Sequence, residues 1–285
     1  MADLGPDPIE LLAVARLAAR AGADVAMAWR QQADRLLIEE KHGPADLVSQ
    51  ADRETESAVH AVLARYRPDD GVLGEEHGEV TGTSGVRWIV DPIDGTTSYL
   101  YGRADWAVSV AAATTSGDRL LAAVVAEPVL GRVTEAHVDG GTWSAGVRCG
   151  VRTGDDPGRA LVEINLGTPR QQARAGRMVA ALLPRVRDVR RGGSAAAALA
   201  MVATGRADAA WIPGVHSWDC AAGVLLVQEA GGLVGDLTTV VPKTWPHGGD
   251  VLAAGEGLRE PLRRALASAY LDQPLTPEAD TDSVK

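Results

Sequence analysis

Two carboxylates, Asp91 and Asp94, flank a rigid Pro92 and are followed at once by Gly95, Thr96, Thr97 and Ser98, in the stretch W-I-V-D-P-I-D-G-T-T-S-Y from Trp88 to Tyr99. Trp88-Ile89-Val90 reads as a short buried strand, and the Asp-Pro step is expected to stop it. The two acids then lie at the C-terminal end of a strand. Gly95 to Ser98 reads as a turn opening a short helix, whose free N–H groups can receive an anion. Carboxylates beside anion-binding amides are electrostatically consistent when a cation lies between them. The stretch therefore points to a divalent-metal phosphate site.

Glu75 and Asp219 complete a set of four acids, each at a predicted junction between regular elements, where α/β proteins keep their sites. Oxygen-only donors suit a hard cation, and a few carboxylates with waters and a substrate phosphate suit Mg²⁺ better than zinc. No His or Cys cluster in the sequence competes with that reading. Alone, Glu75-Glu76 suits a solvated turn, Asp52 the acid of an S-x-x-D capping box begun by Ser49, and Asp219 a complement to a helix dipole. The run from Asp91 to Thr96 is longer and chemically coherent.

Helical spacing of Leu11, Val14, Ala18, Val25 and Trp29 predicts a first helix from Pro8 to about Arg30, and a second should run from the Ser49 cap to about Tyr66. Val72-Leu73 is a short strand leading into Gly74-Glu75-Glu76, and the Gly/Thr/Ser stretch from Gly78 to Gly85 is expected to be a mobile loop. Trp106–Ala113, Leu120–Ala126 and Val133–Val138 read as successive strands of an antiparallel sheet. Beyond a boundary at Val151–Arg159, strands near Leu161–Leu166, Val189, Ala207–Ile212, Leu233–Gly235 and Val251–Ala254 alternate with helices at Gln171–Leu183, after Ser194, at Ser217–Ala230 and at Leu258–Tyr270. The expected organisation is an α+β half, residues 1–150, carrying most metal ligands, and an α/β half, 151–271, carrying Asp219 and the leaving-group pocket. Residues 272–285, rich in Pro, Thr and acids, form an expected disordered tail.

The 285 residues suffice for a substantial core, and the formal net charge of −10 argues against a nucleic-acid or anionic-membrane surface as main partner. Only Cys149 and Cys220 occur, without zinc or redox spacing, and the N-terminus carries acids in place of a basic leader. No apolar run approaches the roughly 20 residues of a membrane span. A soluble cytoplasmic protein is expected.

Four ordered blocks carry a resemblance: K-H-G-P-A-D-L-V-S-Q-A-D from Lys41, G-E-E from Gly74, W-I-V-D-P-I-D-G-T-T from Trp88, and W-D-C-A-A-G from Trp218, flanked by R-R-G-G-S-A-A from Arg190 and E-A-G-G from Glu229. With these the sequence resembles the inositol monophosphatase family of Mg²⁺-dependent, lithium-sensitive phosphatases. The resemblance implies a layered αβαβα sandwich, two to three Mg²⁺ ions per active site and, commonly, a homodimer. It also implies that Glu75, Asp91 and the Ile93 carbonyl hold one metal, that Asp91, Asp94 and Asp219 hold a second with Asp91 bridging, and that a third, weaker ion sits near Glu75. Asp52 and Thr96 match the pair that orients the attacking water, with Glu75 beside them as a catalytic acid residue. Asp94 and the Gly95 and Thr96 amides match the phosphate cradle.

The leaving group is expected to meet Ser194, Ala195, Ile212 and Asp219. Family members acting on inositol phosphate tend to carry Glu seven residues before the catalytic Asp, and here that position is Ile212, in W-I-P-G-V-H-S-W-D. Losing such an acceptor costs about 1–3 kcal/mol of binding. The expected substrate is a small phosphorylated metabolite, inositol 1-phosphate or a similar cyclitol or sugar phosphate. Histidinol phosphate is the alternative, since R-P-D-D-G-V-L-G-E-E resembles phosphatases of that substrate. A bisphosphate nucleotidase or a regulatory binding protein ranks below these.

Overall fold

The computed structural model describes residues 6–32, 38–40, 47–167, 171–238, 245–246 and 249–271. The Lys41–Asp46 part of the first block and the tail at 272–285 lie outside them. The chain order is α1 (Pro8–Arg30), β1 (Ile38–Glu40), β2 (Leu47–Ser49), α2 (Gln50–Tyr66), β3 (Gly71–Gly74), β4 (Gly78–Val80), β5 (Val86–Asp94) and α3 (Thr96–Leu100). There follow β6 (Ala107–Thr114), β7 (Leu120–Glu127), β8 (Arg132–His137), β9 (Gly141–Ser144), β10 (Val147–Cys149), β11 (Leu161–Ile164) and α4 (Gln172–Leu182). The last elements are β12 (Asp188–Arg190), α5 (Ala195–Ala203), β13 (Ala209–Val215), α6 (Ser217–Glu229), β14 (Leu233–Gly235), β15 (Gly249–Ala254) and α7 (Glu256–Leu271).

Beside a small β1–β2 ladder there are two sheets, an eight-stranded one in the order β10-β9-β8-β7-β6-β5-β3-β4 and a five-stranded one in the order β12-β11-β13-β15-β14. Period-two alternation along their strands sorts the core into three layers. From β5, Trp88 and Val90 join the cluster with Leu11, Ala15 and Val59 of α1 and α2, while Ile89 joins the cluster of α5 and α6. From β13, Ala210 and Ile212 face that same middle layer, and Ala209 and Trp211 face the outer cluster with α4 and α7. Helices therefore cover both outer faces and fill the space between the sheets, the αβαβα sandwich expected. The middle helices suit their place: α5 is mostly Ala and α6 is apolar all round from Cys220 to Val227, as helices buried on every side must be.

Four expectations change. The larger sheet is mixed, because β3 pairs with β5 in parallel while β4 folds back antiparallel on the β3 edge; the hairpin occupies the outer side, so β5 must enter beside β3 from the other. The hairpin's second strand falls within the Gly78–Gly85 stretch read as a loop. Strands β9 and β10 went unread because pieces of only four and three residues carry too little alternation. The Asp-Pro step does not end β5, which continues to Asp94. Among the described residues no helix is long and apolar enough to cross a membrane.

Candidate active site

Residues three apart on a regular strand point to opposite faces, which would separate Asp91 from Asp94. On β5 they do not, because the pairing slips: Asp91 lies opposite Ser109 and Asp94 opposite Ala107, so three steps on β5 match two on β6. This bulge falls at Pro92, which has no N–H to give the ladder. It turns both carboxylates toward Asp219, and one oxygen from each of Asp91, Asp94 and Asp219 lies within 4.8 Å of the others.

Each acid is held by its neighbours. Asp91 Oδ1 accepts the Ile93 N–H at 3.1 Å. Asp94 Oδ2 accepts the Ser194 hydroxyl and the Ala196 N–H, both at 2.6 Å. Since Ser194 caps α5, the positive end of that buried helix faces Asp94. Asp219 stands at the third position of α6 and accepts the His216 N–H at 2.6 Å. The cap of α6 is thus His216, with Ser217 already in the first turn. Glu75, partly buried, follows directly on β3, and its charge acts on both Asp91 and Asp219.

Asp52 comes to the same place from α2. Its Oδ2 accepts the Ser49 N–H at 2.8 Å and the Ser49 hydroxyl at 2.6 Å, the capping role its position suggested. Its Oδ1 remains for Thr96, whose hydroxyl lies 3.2 Å from Asp52 Oδ1 and 3.2 Å from the Ile93 carbonyl. One carboxylate therefore caps a helix with one oxygen and faces the site with the other. Gly95, at φ 96°, turns the chain from β5 into α3, placing first-turn amides that have no intrahelical partner next to Asp94.

One residue that sequence reasoning missed holds Glu75 in place. Glu56 is fully buried and accepts the Glu76 N–H at 2.8 Å through Oε2 and the His77 N–H at 2.9 Å through Oε1. Its carboxylate fills the space beside Gly74 where any side chain would begin. The turn that presents Glu75 is thus fastened from α2. The signal was legible as an acid one helical turn after Asp52, hence on the same face.

Ser194, Ala195 and Ile212, the residues expected to meet the leaving group, are all buried. The Ser194 hydroxyl is engaged by Asp94 and also accepts the Ala197 N–H at 2.9 Å, and the Ala195 amide acts on Asp94 as well. Ile212, 1% exposed, packs in the apolar middle layer.

This arrangement is costly without a cation. Burial raises the pKa of Asp91 well above the ordinary carboxylate range, and the charges of Glu75, Asp94, Asp219 and Asp52 add to it. Burial and then Asp94 raise Asp219 in the same way. Burial lifts Asp94 to about 6 in spite of its bonds to Ser194 and Ala196, and burial also raises Asp52. Asp91 Oδ2 has no hydrogen-bond partner although it is shielded from solvent. A buried carboxylate oxygen without a donor, in a cluster of oxygen ligands, fits a hard divalent cation such as Mg²⁺.

A pH dependence follows. Groups whose pKa is raised on folding bind more protons folded than unfolded, so their contribution to stability is greatest at low pH and is lost as pH rises through the folded value. Asp105, Asp188 and Glu260, whose values are lowered by their arginine partners, act oppositely, but that effect is complete by about pH 5.5; His60, lowered by burial, also acts oppositely within the window, one group against the four raised aspartates of the site. The metal-free protein should therefore melt at a lower temperature at about pH 7.5 than at about pH 5.5, and Mg²⁺ should remove the difference. Calorimetry in chelator and in excess Mg²⁺ tests this; a melting temperature that rises with pH in chelator would overturn it.

The sequence matches the profile of the Inositol monophosphatase family over residues 7–271. It is 38% identical over 241 residues to the inositol-1-monophosphatase of Rhizobium meliloti, covering 79% of this chain and 86% of that one. It is 35% identical over 240 residues to the protein named Nus factor SuhB of Pseudomonas aeruginosa, covering 80% of this chain and 86% of that one. The fold is similar to the crystal structure of the extragenic suppressor protein suhB from Bartonella henselae, at a TM-score of 0.83 and 32% identity over 90% of this chain and 98% of that one.

Proposed function

The chain belongs to the inositol monophosphatase family, a family of metal-dependent phosphatases, and from that premise we propose that it hydrolyses inositol 1-phosphate or a similar cyclitol or sugar phosphate with Mg²⁺. The observation that supports metal-assisted hydrolysis most directly is the unpartnered, buried Asp91 Oδ2 among three clustered aspartates.

In this reading Glu75, Asp91 and the Ile93 carbonyl hold one ion, and Asp91, Asp94 and Asp219 a second, with a third near Glu75. Bound Mg²⁺ supplies Lewis-acid charge to the phosphoryl oxygens and lowers the pKa of water. The protein's own groups do the rest. The Thr96 hydroxyl, 3.2 Å from Asp52, orients the attacking water, and Asp52 Oδ1 takes its proton. Burial has raised the Asp52 pKa, which makes it a better base than an exposed aspartate. The Gly95 and Thr96 amides receive the phosphate, and no covalent phosphoenzyme is required. Asp219 and Ser194-Ala195 lie toward the leaving group, and Ile212, packed in the buried middle layer, offers it no acceptor. A homodimer working in the cytoplasm completes the proposal.

Activity against a panel of inositol 1-phosphate, histidinol phosphate, an adenosine 3′,5′-bisphosphate and sugar phosphates is the test. Phosphate release should need Mg²⁺, disappear in chelator and fall with Li⁺, and inositol 1-phosphate or a sugar phosphate should have the highest kcat/KM. A preference for histidinol phosphate would reassign the substrate. Full turnover in chelator would overturn the mechanism. The regulatory reading draws on the relative named Nus factor SuhB; it would be favoured by a chain that turns over none of the panel.

A further inference from the structure

The sequence showed no histidine cluster, yet the fold builds one outside the aspartate site. Glu56 and His60 lie one turn apart on α2, and His77 joins them from the β3–β4 turn. One donor atom from each lies within 4.8 Å of the others. His77 Nδ1 is 2.9 Å from Glu56 Oε1, and His60 Nε2 is 3.5 Å from the same oxygen. A tetrahedral zinc ion bound at ~2.0–2.2 Å sets its donors roughly 3.3–3.6 Å apart; the His60 contact to Glu56 already has that spacing, the His77 contact must open slightly, and the two imidazoles lie within 4.8 Å of each other.

A second observation points to a ligand. His60 Nε2 is shielded from solvent and makes no hydrogen bond, a state that an imidazole nitrogen leaves by binding a metal. The surroundings suit the tautomers required. Ser57 Oγ lies 3.4 Å from His77 Nε2, so that ring can carry its proton on Nε2, facing the serine, and present Nδ1 to an ion. Glu56 Oε1 keeps the His77 backbone N–H and turns its other lone pair to the metal, and metal binding selects the His77 tautomer protonated on Nε2, with any further proton released to solvent. His77 is exposed, which leaves an entry path and a fourth position open to water.

We propose that Glu56, His60 and His77 form a second metal site, specific for a late first-row divalent ion and best suited to Zn²⁺. Two imidazoles and one carboxylate favour zinc over Mg²⁺, the reverse of the all-oxygen aspartate cluster. The site is independent of the phosphatase reading. It ties α2 to the turn that begins at Glu75, since Glu56 already holds the Glu76 and His77 amides.

The test is calorimetric titration of chelator-treated, dialysed protein with Zn²⁺ in excess Mg²⁺, repeated with Co²⁺ to read its visible d–d bands. One Zn²⁺ per chain should bind under Mg²⁺ saturation, with the Co²⁺ spectrum of a nitrogen-containing tetrahedral site. His77→Ala and His60→Gln should each weaken binding at least tenfold, while Asp94→Asn leaves it unchanged. His77 is at the surface, so its variant keeps the assay informative if His60→Gln unfolds. Binding that survives both histidine variants, that disappears in Asp94→Asn instead, or that is not detected with Mg²⁺ present would overturn the proposal.

Discussion

Asp91→Asn should fold, melt higher than the parent in chelator by about 2–4 °C, and turn over the preferred phosphate ester roughly a thousandfold more slowly. Asparagine keeps the oxygen that accepts the Ile93 N–H at 3.1 Å. It replaces the unpartnered Oδ2 with an N–H₂ group facing the carboxylates of Asp94 and Asp219, which gain a donor beyond those they already have from Ser194, Ala196 and His216. The repulsion that raises Asp91 and its neighbours is relieved, so the metal-free fold gains. The metal-bound enzyme loses an anionic ligand shared by two proposed ions. A metal contributes several kcal/mol to a transition state of this kind, and about 4 kcal/mol corresponds to the thousandfold loss. Melting in chelator and steady-state kinetics with Mg²⁺ read the two halves separately. Turnover within tenfold of the parent would remove Asp91 from the bridging role, and a lower melting temperature in chelator would contradict the electrostatic account.

Gly95→Ala should damage both the fold and the chemistry, lowering stability by about 2–4 kcal/mol and kcat by roughly a hundredfold or more. Gly95 sits at φ 96°, ψ 41°, a conformation that an L side chain rarely adopts. A Cβ there would lie 3.1 Å from the Gly193 carbonyl carbon, 3.2 Å from the Asp105 carbonyl oxygen and 3.2 Å from the Ser194 nitrogen. These are backbone atoms of two segments, so relief must come by moving one of them. Moving Ser194 withdraws the hydroxyl and the helix end that hold Asp94, while moving Gly95 displaces the amides proposed to receive phosphate. Gly95→Asn separates the causes, because Asn tolerates positive φ but brings the same Cβ. If contact dominates, Asn should be nearly as harmful as Ala. Parent-like melting and kcat in Gly95→Ala would show that neither the turn nor the contact matters.

Several elements were legible because their signals are local. α1 runs from Pro8 to Arg30 as its spacing predicts, and the Ser49–Asp52 capping box, the helix after Gly95 and β14 follow from short-range rules. Elements whose existence depends on a partner were not. β4 and the β9–β10 ribbon are short strands defined by pairing. The mixed character of the larger sheet depends on which edge β5 takes.

The site divides along the same line. The sequence alone determined which groups are present: carboxylates at Asp91, Asp94, Glu75, Asp219 and Asp52, a hydroxyl at Thr96 and a turn at Gly95. That donor set already selects a hard cation and an anion, because ligand chemistry belongs to residue type. Tertiary structure alone decided where those groups point. The slip of β5 against β6 at Pro92 brings Asp91 and Asp94 to one face, and alternation on β13 places Ile212 in the buried middle layer. Glu56 was left free by the sequence to be a surface acid, and packing made it the buried anchor of the Glu75 turn and brought His60 and His77 to its carboxylate. The physical reason is that side-chain direction follows from register and long-range pairing, and a shift of one residue in either reverses every face.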